Sequence, residues 1–372
     1  MFNQGGKFKL EKVLRFRKKD LTNYTINFLK KLGVPIEDAK IAADVLVTAD
    51  VRGIDSHGLI RLNTYYGKRL AKKYINPLTP IKVISETDTT ILIDGGNGLG
   101  QVASFKAMQR CIGKAKKSNV AITTVRHSNH YGIAGYYSMM ALKEDMIGIS
   151  LTNSQALVAP TYGRTPVLGT NPISIAVPSY NQYPYILDMA TSTVPIGRIK
   201  VYEKNNEKIP PGWGIDDSGE VTDDPKKIQS GGPGALLPLG GTDIMRGYKG
   251  YGLALMVDIL CGTLSGGANL TEVGFPHDLS KESNVSHFFM AIKIDAFRPL
   301  IDFKKQMDKL VKILKNSPKA KGQDKIYIAG EKEFETAKYN EKHGVPILAN
   351  VIEDIKKYGA NISVPFNIKP IG

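Results

Sequence analysis

Residues 90–103 have the sequence Thr90-Ile-Leu-Ile-Asp-Gly-Gly-Asn-Gly-Leu-Gly100-Gln-Val-Ala103, and this stretch decides between two classes of fold. Its apolar start predicts a strand, the segment up to about Lys117 predicts a helix, and Val120–Val125 predicts a second, buried strand. The glycines therefore form a G-x-G-x-x-A pattern inside a β-α-β unit. That pattern is the dinucleotide-binding fingerprint of a Rossmann domain.

Two features of the flanking sequence weigh against a Rossmann domain. Arg126 follows the second strand, where the fingerprint requires an acidic residue for the ribose, so a 2′-phosphate contact would have to be assumed instead. Residues 147–188 then contain short strands separated by turn residues, which is typical of an antiparallel sheet. The sequence favours the antiparallel interpretation, and the Rossmann alternative stays open at this point.

Helical patterns dominate the two ends of the chain, and there is no internal repeat. The expected segments are helices at 21–49 (broken at 33–35), 56–73, 101–117, 132–144, 251–265 and 303–316, a polar region rich in proline and glycine at 197–229, strands at 81–93, 288–294 and 326–328, and a final helix after Val345.

The composition is that of a globular protein without a membrane span. The chain has 372 residues, of which 42% are hydrophobic and 23% charged, so about two or three domains are expected. The first twenty residues lack the apolar core of a signal peptide, and the apolar run 250–268 contains Asp258 and several glycines. Cys111 and Cys261 form no disulfide framework. We therefore expect a cytoplasmic protein.

The net charge of +15 raises the question of nucleic acid binding. The lysines are spread through helical patterns, such as 304–315, and no RGG, zinc-finger or RNP-like pattern with interleaved aromatic residues is present. A lysine-rich surface exposed to water, with some attraction for anionic substrates, explains the charge better. We expect no nucleic acid partner.

The segment Arg52-Gly-Ile-Asp-Ser-His57-Gly-Leu-Ile-Arg61 offers a candidate substrate site. His57 and Arg61 are four residues apart, so on a helix they share one face. If Asp55 or Ser56 caps that helix, His57 lies in its first turn, where the helix dipole and Arg61 both favour a neutral imidazole. The pair would then combine a proton acceptor with a cation for a carboxylate, unless it is simply part of a capped surface helix.

Further candidate residues follow the predicted strands. His127 and His130 flank a strand end, where side chains commonly enter a site, and three histidines make a metal site conceivable. No carboxylate or cysteine joins them at ligand spacing, so we expect no metal. Asp188 ends a strand and could bind ribose hydroxyls or cap a helix. Lys249-Gly250, ahead of an apolar helix, is the better phosphate candidate, because glycine allows close approach and lysine adds charge.

Taken together and in this order, these motifs resemble those of the type-2 malate/L-lactate dehydrogenase family of NAD(P)-dependent oxidoreductases. The resemblance covers nearly the whole chain. It rests on the segments Arg52-Gly-x-x-Ser-His-Gly58, Asp94-Gly-Gly-x-Gly-Leu-Gly-Gln101, Ser128-Asn-His-x-Gly132, Gly169-Thr-Asn-Pro172, Leu187-Asp-Met-Ala190, Ile209-Pro-x-Gly-Trp213, Pro238-Leu-Gly-Gly241, Lys249-Gly-Tyr-Gly252 and Ala329-Gly-Glu331.

The resemblance implies a non-Rossmann α/β fold with a largely antiparallel central sheet in the cofactor domain, and a homodimer whose active sites lie near the subunit interface. It also implies a division of the chain. The expected parts are 1–80, an N-terminal helical region carrying His57 and Arg61; 81–125, which joins the second domain with the C-terminal part; 126–300, the NAD(P)-binding domain; and 301–372, a C-terminal helical region that completes the substrate and dimer domain.

The resemblance further assigns roles to residues. His57 and His130 match histidines to which proton transfer has been assigned, Arg61 matches a ligand of the substrate carboxylate, and Thr170 is a plausible second ligand. The implied contacts of NAD or NADP are Ser154, Asp188, Met189, Ala190, Lys249, Gly250, Gly330 and Glu331.

The implied reaction is hydride transfer between NAD(P) and a small 2-hydroxy or 2-oxo acid, with malate and oxaloacetate favoured. Lactate, sulfolactate or imino-acid reduction within the same family are alternatives, and a non-catalytic binding scaffold is an alternative of another class. A dicarboxylate needs a second cation, for which Arg126, Arg164 and Lys143 are equal candidates.

Overall fold

The computed structural model describes residues 12–228, 232–275 and 278–371; residues 1–11, on which the signal-peptide expectation partly depends, lie outside this range. The helices are α1 (Lys18–Lys31), α2 (Ile36–Val51), α3 (Lys68–Ala71), α4 (Gly100–Ser118), α5 (Ala134–Met140), α6 (Ile196–Lys204), α7 (Tyr248–Asp258), α8 (Leu300–Asn316), α9 (Glu331–His343) and α10 (Ala349–Asn361). The strands are β1 (Val13–Phe16), β2 (Lys82–Glu86), β3 (Thr90–Asp94), β4 (Val120–Ser128), β5 (Met146–Thr152), β6 (Ile173–Val177), β7 (Tyr185–Met189), β8 (Gly214–Ile215), β9 (Ala235–Leu236), β10 (Val285–Lys293) and β11 (Val345–Leu348).

A seven-stranded sheet forms the centre of the molecule. Its strand order is β2-β3-β4-β10-β5-β6-β7, and every neighbouring pair is antiparallel except β3 and β4. The expectation of an α/β protein with a largely antiparallel sheet is therefore confirmed. The β3-α4-β4 unit suggested by the glycine pattern is also present, because β3 and β4 are parallel and α4 connects them.

Helices cover the two faces of this sheet unequally. One face carries α4, which packs on β4 and β10, and α5, which packs on β5, β6 and β7. The other face carries α7 and its π-helical continuation Ile259–Thr263, which pack on β4, β5 and β10. Around this second contact several apolar sheet residues stay only half-buried, namely Ile122, Ile149, Ile173 and Met290.

The two ends of the chain share one hydrophobic core. β1 pairs with β11 in a separate two-stranded sheet, and Arg15 donates a 3.2 Å hydrogen bond to Asn340, 325 positions away. Residues from α1 and α2 pack in the same cluster as residues 345–366. The division of the chain into the four expected ranges stays a prediction.

Some secondary-structure elements predicted from local sequence patterns differ from those in the structure. The strand expected at 326–328 is wrong: Ile328 is buried, and Ala329 accepts a hydrogen bond from Ile186 of β7, but the segment joins no strand ladder. The polar region at 197–229 contains all of helix α6 except its first residue, and α9 was not expected at all. Among the described residues no helix is long and apolar enough to cross a bilayer.

Candidate active site

One edge of the central sheet gathers the candidate residues. β3, β4, β5 and β7 all end at this edge, and β6 begins there, as the pairing of Leu151 with Ile173 and of Ile173 with Met189 demonstrates. The loops that leave or enter these strands carry His130, Ser154 and Thr170, and Asp188 is the second-last residue of β7. Residues far apart in sequence are thus brought to one side of the molecule by the strand order.

His57 and His130 come together at this edge. Their rings are stacked, with centroids 5.3 Å apart and planes at 22°. His57 belongs to a loop of the N-terminal helical part, whereas His130 follows β4. The two histidines that the resemblance singled out therefore form one cluster, and their roles in proton transfer stay a prediction.

The local structure around His57 differs from the expected capped helix. Asp55–His57 is a single 3₁₀ turn without a side-chain cap, so His57 does not lie in the first turn of an α-helix. The reason is Asp50 of α2, which accepts a 2.8 Å hydrogen bond from the Leu59 N–H and thereby caps the helix that starts at residue 60. Gly58 is needed there, because a Cβ at this position would overlap the Asp50 carboxylate.

Charge and burial keep His57 neutral. Burial, and secondarily the charge of Arg61, lowers the pKa of His57 to about 3. The expected contribution of a helix dipole is absent from this geometry, since His57 precedes the helix by a glycine turn. Ser56 Oγ lies 2.8 Å from His57 Nδ1. The expected effect of Arg61 on the pKa of His57 is therefore present, but burial and not a helix dipole is the larger cause.

The Arg61 guanidinium is held in one direction close to the histidines. Its Nε donates a 2.8 Å hydrogen bond to the Ser56 carbonyl, which fixes the direction of the guanidinium. Its two terminal nitrogens make no hydrogen bond or ion pair within the part of the chain that the structure describes. A planar guanidinium held in this way offers two parallel donors to a carboxylate.

His130 is held from several sides. Tyr66 Oη lies 2.7 Å from its Nδ1, the Gly132 N–H donates to the same nitrogen at 3.3 Å, and its own backbone N–H donates to Tyr65 Oη. Burial, together with the nearby His57 and Arg61, keeps the pKa of His130 well below its usual range. Sequence reasoning missed both tyrosines, because a Tyr-Tyr pair within a helix is indistinguishable from core packing.

The third histidine takes part in another cluster. His127 Nδ1 lies 3.2 Å from Asp94 and its Nε2 lies 2.9 Å from Glu282. Its ring nitrogens are therefore committed away from His57 and His130. Over the described residues, no group of three potential ligands is arranged to hold a metal ion.

The glycine-rich turn of the Rossmann-like pattern is filled by the chain itself. A Cβ on Gly100 would overlap the carbonyl oxygens of Asn129 and His130, and the Asn129 side chain donates a 2.9 Å hydrogen bond to the Gly98 carbonyl. The Leu99 N–H is bonded to Thr79 Oγ1. The close approach that the glycines allow is used to seat the loop that carries His130.

Ser154 and Thr170 form a hydroxyl pair at the ends of β5 and β6. The Ser154 hydroxyl accepts a 3.0 Å hydrogen bond from the Thr170 N–H and lies 3.3 Å from Thr170 Oγ1. Behind them Asn171 accepts from the Ser154 N–H and donates to Asp258 of α7. A buried amide and carboxylate thus fix the positions of the two half-buried hydroxyls relative to α7.

Asp188 and the residues after it line the same edge. The Asp188 carboxylate accepts a 2.7 Å hydrogen bond from the Gly135 N–H at the start of α5, and a Cβ on Gly135 would lie 2.8 Å from that carboxylate. Met189 pairs with Ile173, and Ala190 leads into the segment that follows β7. The arrangement leaves the second carboxylate oxygen available to a ligand.

Lys249 and Gly250 begin α7 close to the hydroxyl pair. Backbone hydrogen bonds connect Leu239 to Thr191 and Thr191 to Thr170, and Gly250 packs directly on Leu239. The Lys249 side chain is exposed and has neither a hydrogen bond nor an ion pair with any described residue. This cation without a partner among the described residues is thus connected to Thr170 through the backbone of Leu239 and Thr191.

Gly330 and Glu331 lie along β7. Gly330 adopts φ +88° and packs against Ile186, the second residue of β7 and three positions before its end at Met189. The Glu331 carboxylate is 2% exposed and binds Lys315 at 2.6 Å and Lys325 at 2.9 Å. Although burial opposes it, these lysines lower the pKa of Glu331. Because the carboxylate is committed to lysines, its expected cofactor contact stays a prediction.

The structure places none of the three candidates for a second substrate cation in contact with the cluster of Arg61, His57 and His130 among the described residues. Arg126 bonds Asp94 at 3.4 Å, and Arg164 bonds the Asp217 carbonyl. Lys143 precedes β5 and therefore lies at the opposite edge of the sheet.

Comparison with known proteins gives a consistent result. The family model described as malate/L-lactate dehydrogenase matches residues 16–356. A malate dehydrogenase of Pyrococcus abyssi is 47% identical over 365 residues, covering 98% of this chain and 99% of the relative. An L-sulfolactate dehydrogenase of Methanocaldococcus jannaschii is 42% identical over 333 residues, covering 89% and 92%. The structure of malate dehydrogenase from Pyrococcus horikoshii superposes with a TM-score of 0.87 at 42% identity, covering 100% of both chains.

Proposed function

The chain belongs to the malate/L-lactate dehydrogenase family, and we propose that malate and oxaloacetate are the pair on which it acts. It is a hydroxy acid dehydrogenase, and the dehydrogenases of this family depend on pyridine nucleotides. The observation that supports a hydroxy acid is the Arg61 guanidinium, anchored through Nε close to the two histidines. The choice of malate among the hydroxy acids is supported by the 47% identity to the P. abyssi malate dehydrogenase.

In the proposed reaction Arg61 holds the C1 carboxylate and thereby orients the C2 hydroxyl toward the histidine pair. One of the two histidines takes the hydroxyl proton during oxidation and returns it during reduction. General acid–base catalysis of this kind contributes about 10²–10⁴ in rate. A bound pyridine nucleotide supplies the acceptor for the hydride that leaves C2.

The side chains along the sheet edge suit such a cofactor. Asp188 offers a carboxylate to ribose hydroxyls, Ser154 and Thr170 offer neutral donors and acceptors, and Lys249 offers an unpaired cation to a phosphate. The start of α4 is closed by the Asn129–His130 backbone, which supports a non-Rossmann mode of binding. Both NAD and NADP fit this set of groups.

The test is an assay of the purified protein with NADH and with NADPH against oxaloacetate, pyruvate, sulfopyruvate and a cyclic imino acid, followed at the nicotinamide absorbance band. We expect oxaloacetate to give the highest kcat/KM. Sulfopyruvate is the second candidate, because the M. jannaschii relative is an L-sulfolactate dehydrogenase. Cofactor binding without turnover of any compound would support the scaffold alternative.

Arg61→Lys separates carboxylate binding from the remaining chemistry. Lysine keeps the charge but replaces the two-pronged donor by a point charge. We expect the KM for the oxo acid to rise about tenfold, the loss of roughly one charge-assisted hydrogen bond. An unchanged KM and kcat would remove Arg61 from the substrate site.

We also propose a homodimer formed through the incompletely covered face of the sheet. On α7, its continuation and the residue after it, Met256, Ile259 and Leu264 are 39%, 48% and 58% exposed. Their neighbours Val257 and Cys261 pack with the half-buried sheet residues of that face. Apolar surface of this kind is typical of an interface. Since α7 begins at the Lys249 segment, a partner seated there would adjoin the cofactor site.

Light scattering tests this interface. Ile259→Lys should halve the molar mass, because it places a charge in the apolar face. Ile313→Lys, on the outer side of α8 where Ile313 is 62% exposed, is the matched control and should remain dimeric. If only the Ile313→Lys variant became monomeric, the dimer interface would lie on α8 and not on α7.

A further inference from the structure

The Nδ1 atom of His130 is surrounded by hydrogen-bond donors. The Gly132 N–H points at it from 3.3 Å, and the Tyr66 hydroxyl lies 2.7 Å away. A backbone N–H can only donate, so Nδ1 must provide a lone pair. A neutral imidazole with an unprotonated Nδ1 carries its proton on Nε2.

The Tyr66 hydroxyl has one proton and two acceptors within reach. Besides Nδ1 it lies 3.3 Å from the His130 carbonyl oxygen. Donation to the carbonyl would require Nδ1 to be protonated, and that proton would face the Gly132 N–H. Donation to Nδ1 avoids this conflict and uses the shorter contact, so both donors specify the same tautomer.

The fold fixes both donors. Tyr66 is fully buried in the π-helical segment Leu62–Gly67, one turn after Arg61. Gly132 has φ +86°, and a Cβ there would lie 2.6 Å from Val45 of α2. A left-handed conformation without room for a side chain admits only glycine. Neither donor can turn away without moving a packed helix.

His57 is held differently. Its Nδ1 is paired with the Ser56 hydroxyl at 2.8 Å, and a hydroxyl can either donate or accept. Ser56 is exposed, so its hydroxyl can reorient and exchange protons with water. The contact at His57 Nδ1 is therefore compatible with either tautomer, whereas the contacts at His130 Nδ1 specify one.

We propose that Tyr66 is a positioning residue which, with the Gly132 N–H, holds His130 as the Nε2–H tautomer, so that His130 donates a hydrogen bond to the substrate oxygen while His57 carries the proton. This inference rests on the proposed function. In oxidation the hydroxyl O–H breaks and its proton moves to His57, while the C2–H bond breaks and its electron pair leaves with the hydride. The resulting carbonyl oxygen stays hydrogen-bonded to His130 Nε2–H, and reduction is the reverse.

Long-range ¹H–¹⁵N NMR of the histidine rings in the full-length protein tests the tautomer directly. We expect the His130 Nε2 to be protonated and its Nδ1 unprotonated between pH 6 and 8. In Tyr66→Phe we expect a mixture of both tautomers and a kcat lowered about three- to tenfold, the effect of roughly one neutral hydrogen bond. The KM for the oxo acid should change less than twofold, because Arg61 is untouched.

Tyr358→Phe is the matched control. Its hydroxyl donates a 2.9 Å hydrogen bond to the carbonyl of Gly67, the residue after Tyr66, and touches neither ring nitrogen of His130. It should leave the tautomer and kcat at wild-type values. An effect equal to that of Tyr66→Phe would mean that loosening the helix alone is responsible and would overturn the role of Tyr66.

Two glutamine variants test the division of roles between the histidines. Glutamine keeps an N–H donor but cannot carry a proton, so His130→Gln should lose at most about tenfold in kcat. His57→Gln should lose about 10²-fold or more. The opposite order, or a wild-type His130 protonated on Nδ1, overturns the inference. The protein could also show the expected His130 tautomer and yet reduce none of the oxo or imino acids. That result would support the tautomer assignment and overturn only the proposed function.

Discussion

The glycine-rich turns that precede α4 and α7 are alike in sequence and different in use. In both, a Cβ on the glycine would overlap another stretch of backbone: Asn129–His130 for Gly100, and Leu239 for Gly250. The approaching chain closes the start of α4 completely, whereas at α7 it leaves Lys249 exposed and unpaired among the described residues. A glycine pattern therefore reports that something comes close to a helix start, but not whether it is a ligand or the protein itself.

Gly100→Ala gives the strongest test of this difference. The new methyl group would overlap two carbonyl oxygens of the loop that carries His130, and backbone cannot yield as a flexible side chain can. We expect kcat/KM to fall by about 10²-fold or more, since small misplacements of catalytic groups have effects of that size. Steady-state kinetics at saturating cofactor will measure it, and near-normal activity would show that the loop tolerates displacement.

Lys249→Ala tests whether the start of α7 binds the cofactor phosphates. Removing one charge-assisted contact should raise the KM of the nucleotide about tenfold, with a smaller change in kcat. Lys249→Arg keeps the charge and should restore most of the affinity. A larger effect for NADPH than for NADH would place Lys249 near a 2′-phosphate, and equal KM values for all variants would refute a role in phosphate binding.

Gly113→Ala gives the smallest expected effect. It compares a glycine in the interior of α4 with Gly100 at the start of the same helix. Gly113 is exposed in the helix interior, and an added Cβ would meet no atom within 4 Å. Alanine should raise the free energy of unfolding by about 0.5–1 kcal/mol through its helix propensity. Chemical denaturation measures the change. Destabilisation would mean that this helix position is strained or covered by a partner.

The sequence predicted those features that depend on local pattern. The short strands between residues 147 and 188, the break at Gly33–Pro35 and the helix after Gly100 follow from periodicity and turn residues. The resemblance named His57, Arg61 and His130, and the structure brings these three together. The neutrality of His57 was expected from a helix dipole and from Arg61, but burial has the larger effect on its pKa and Arg61 the smaller one.

The missed features depend on residues distant in sequence. The cap at Leu59 comes from Asp50 in the preceding helix, and no local motif identifies it. β1 exists only through its pairing with β11, and Tyr66 gains its role from a loop 64 positions away. α9 escaped notice because charged residues dominate it and its apolar stripe is short.

The pairing of β1 with β11 also bears on how the protein is made. Ribosomes add about 5–20 residues per second, so roughly 20 to 70 s pass between the emergence of Val13 and that of its partner Leu348. During this time the segment that carries His57 and Arg61 lacks the strand and the C-terminal helices that complete its core. The central sheet, whose strands lie between residues 82 and 293, can assemble earlier. All the strands of the central sheet are therefore synthesised before the residues that complete the core beside His57 and Arg61.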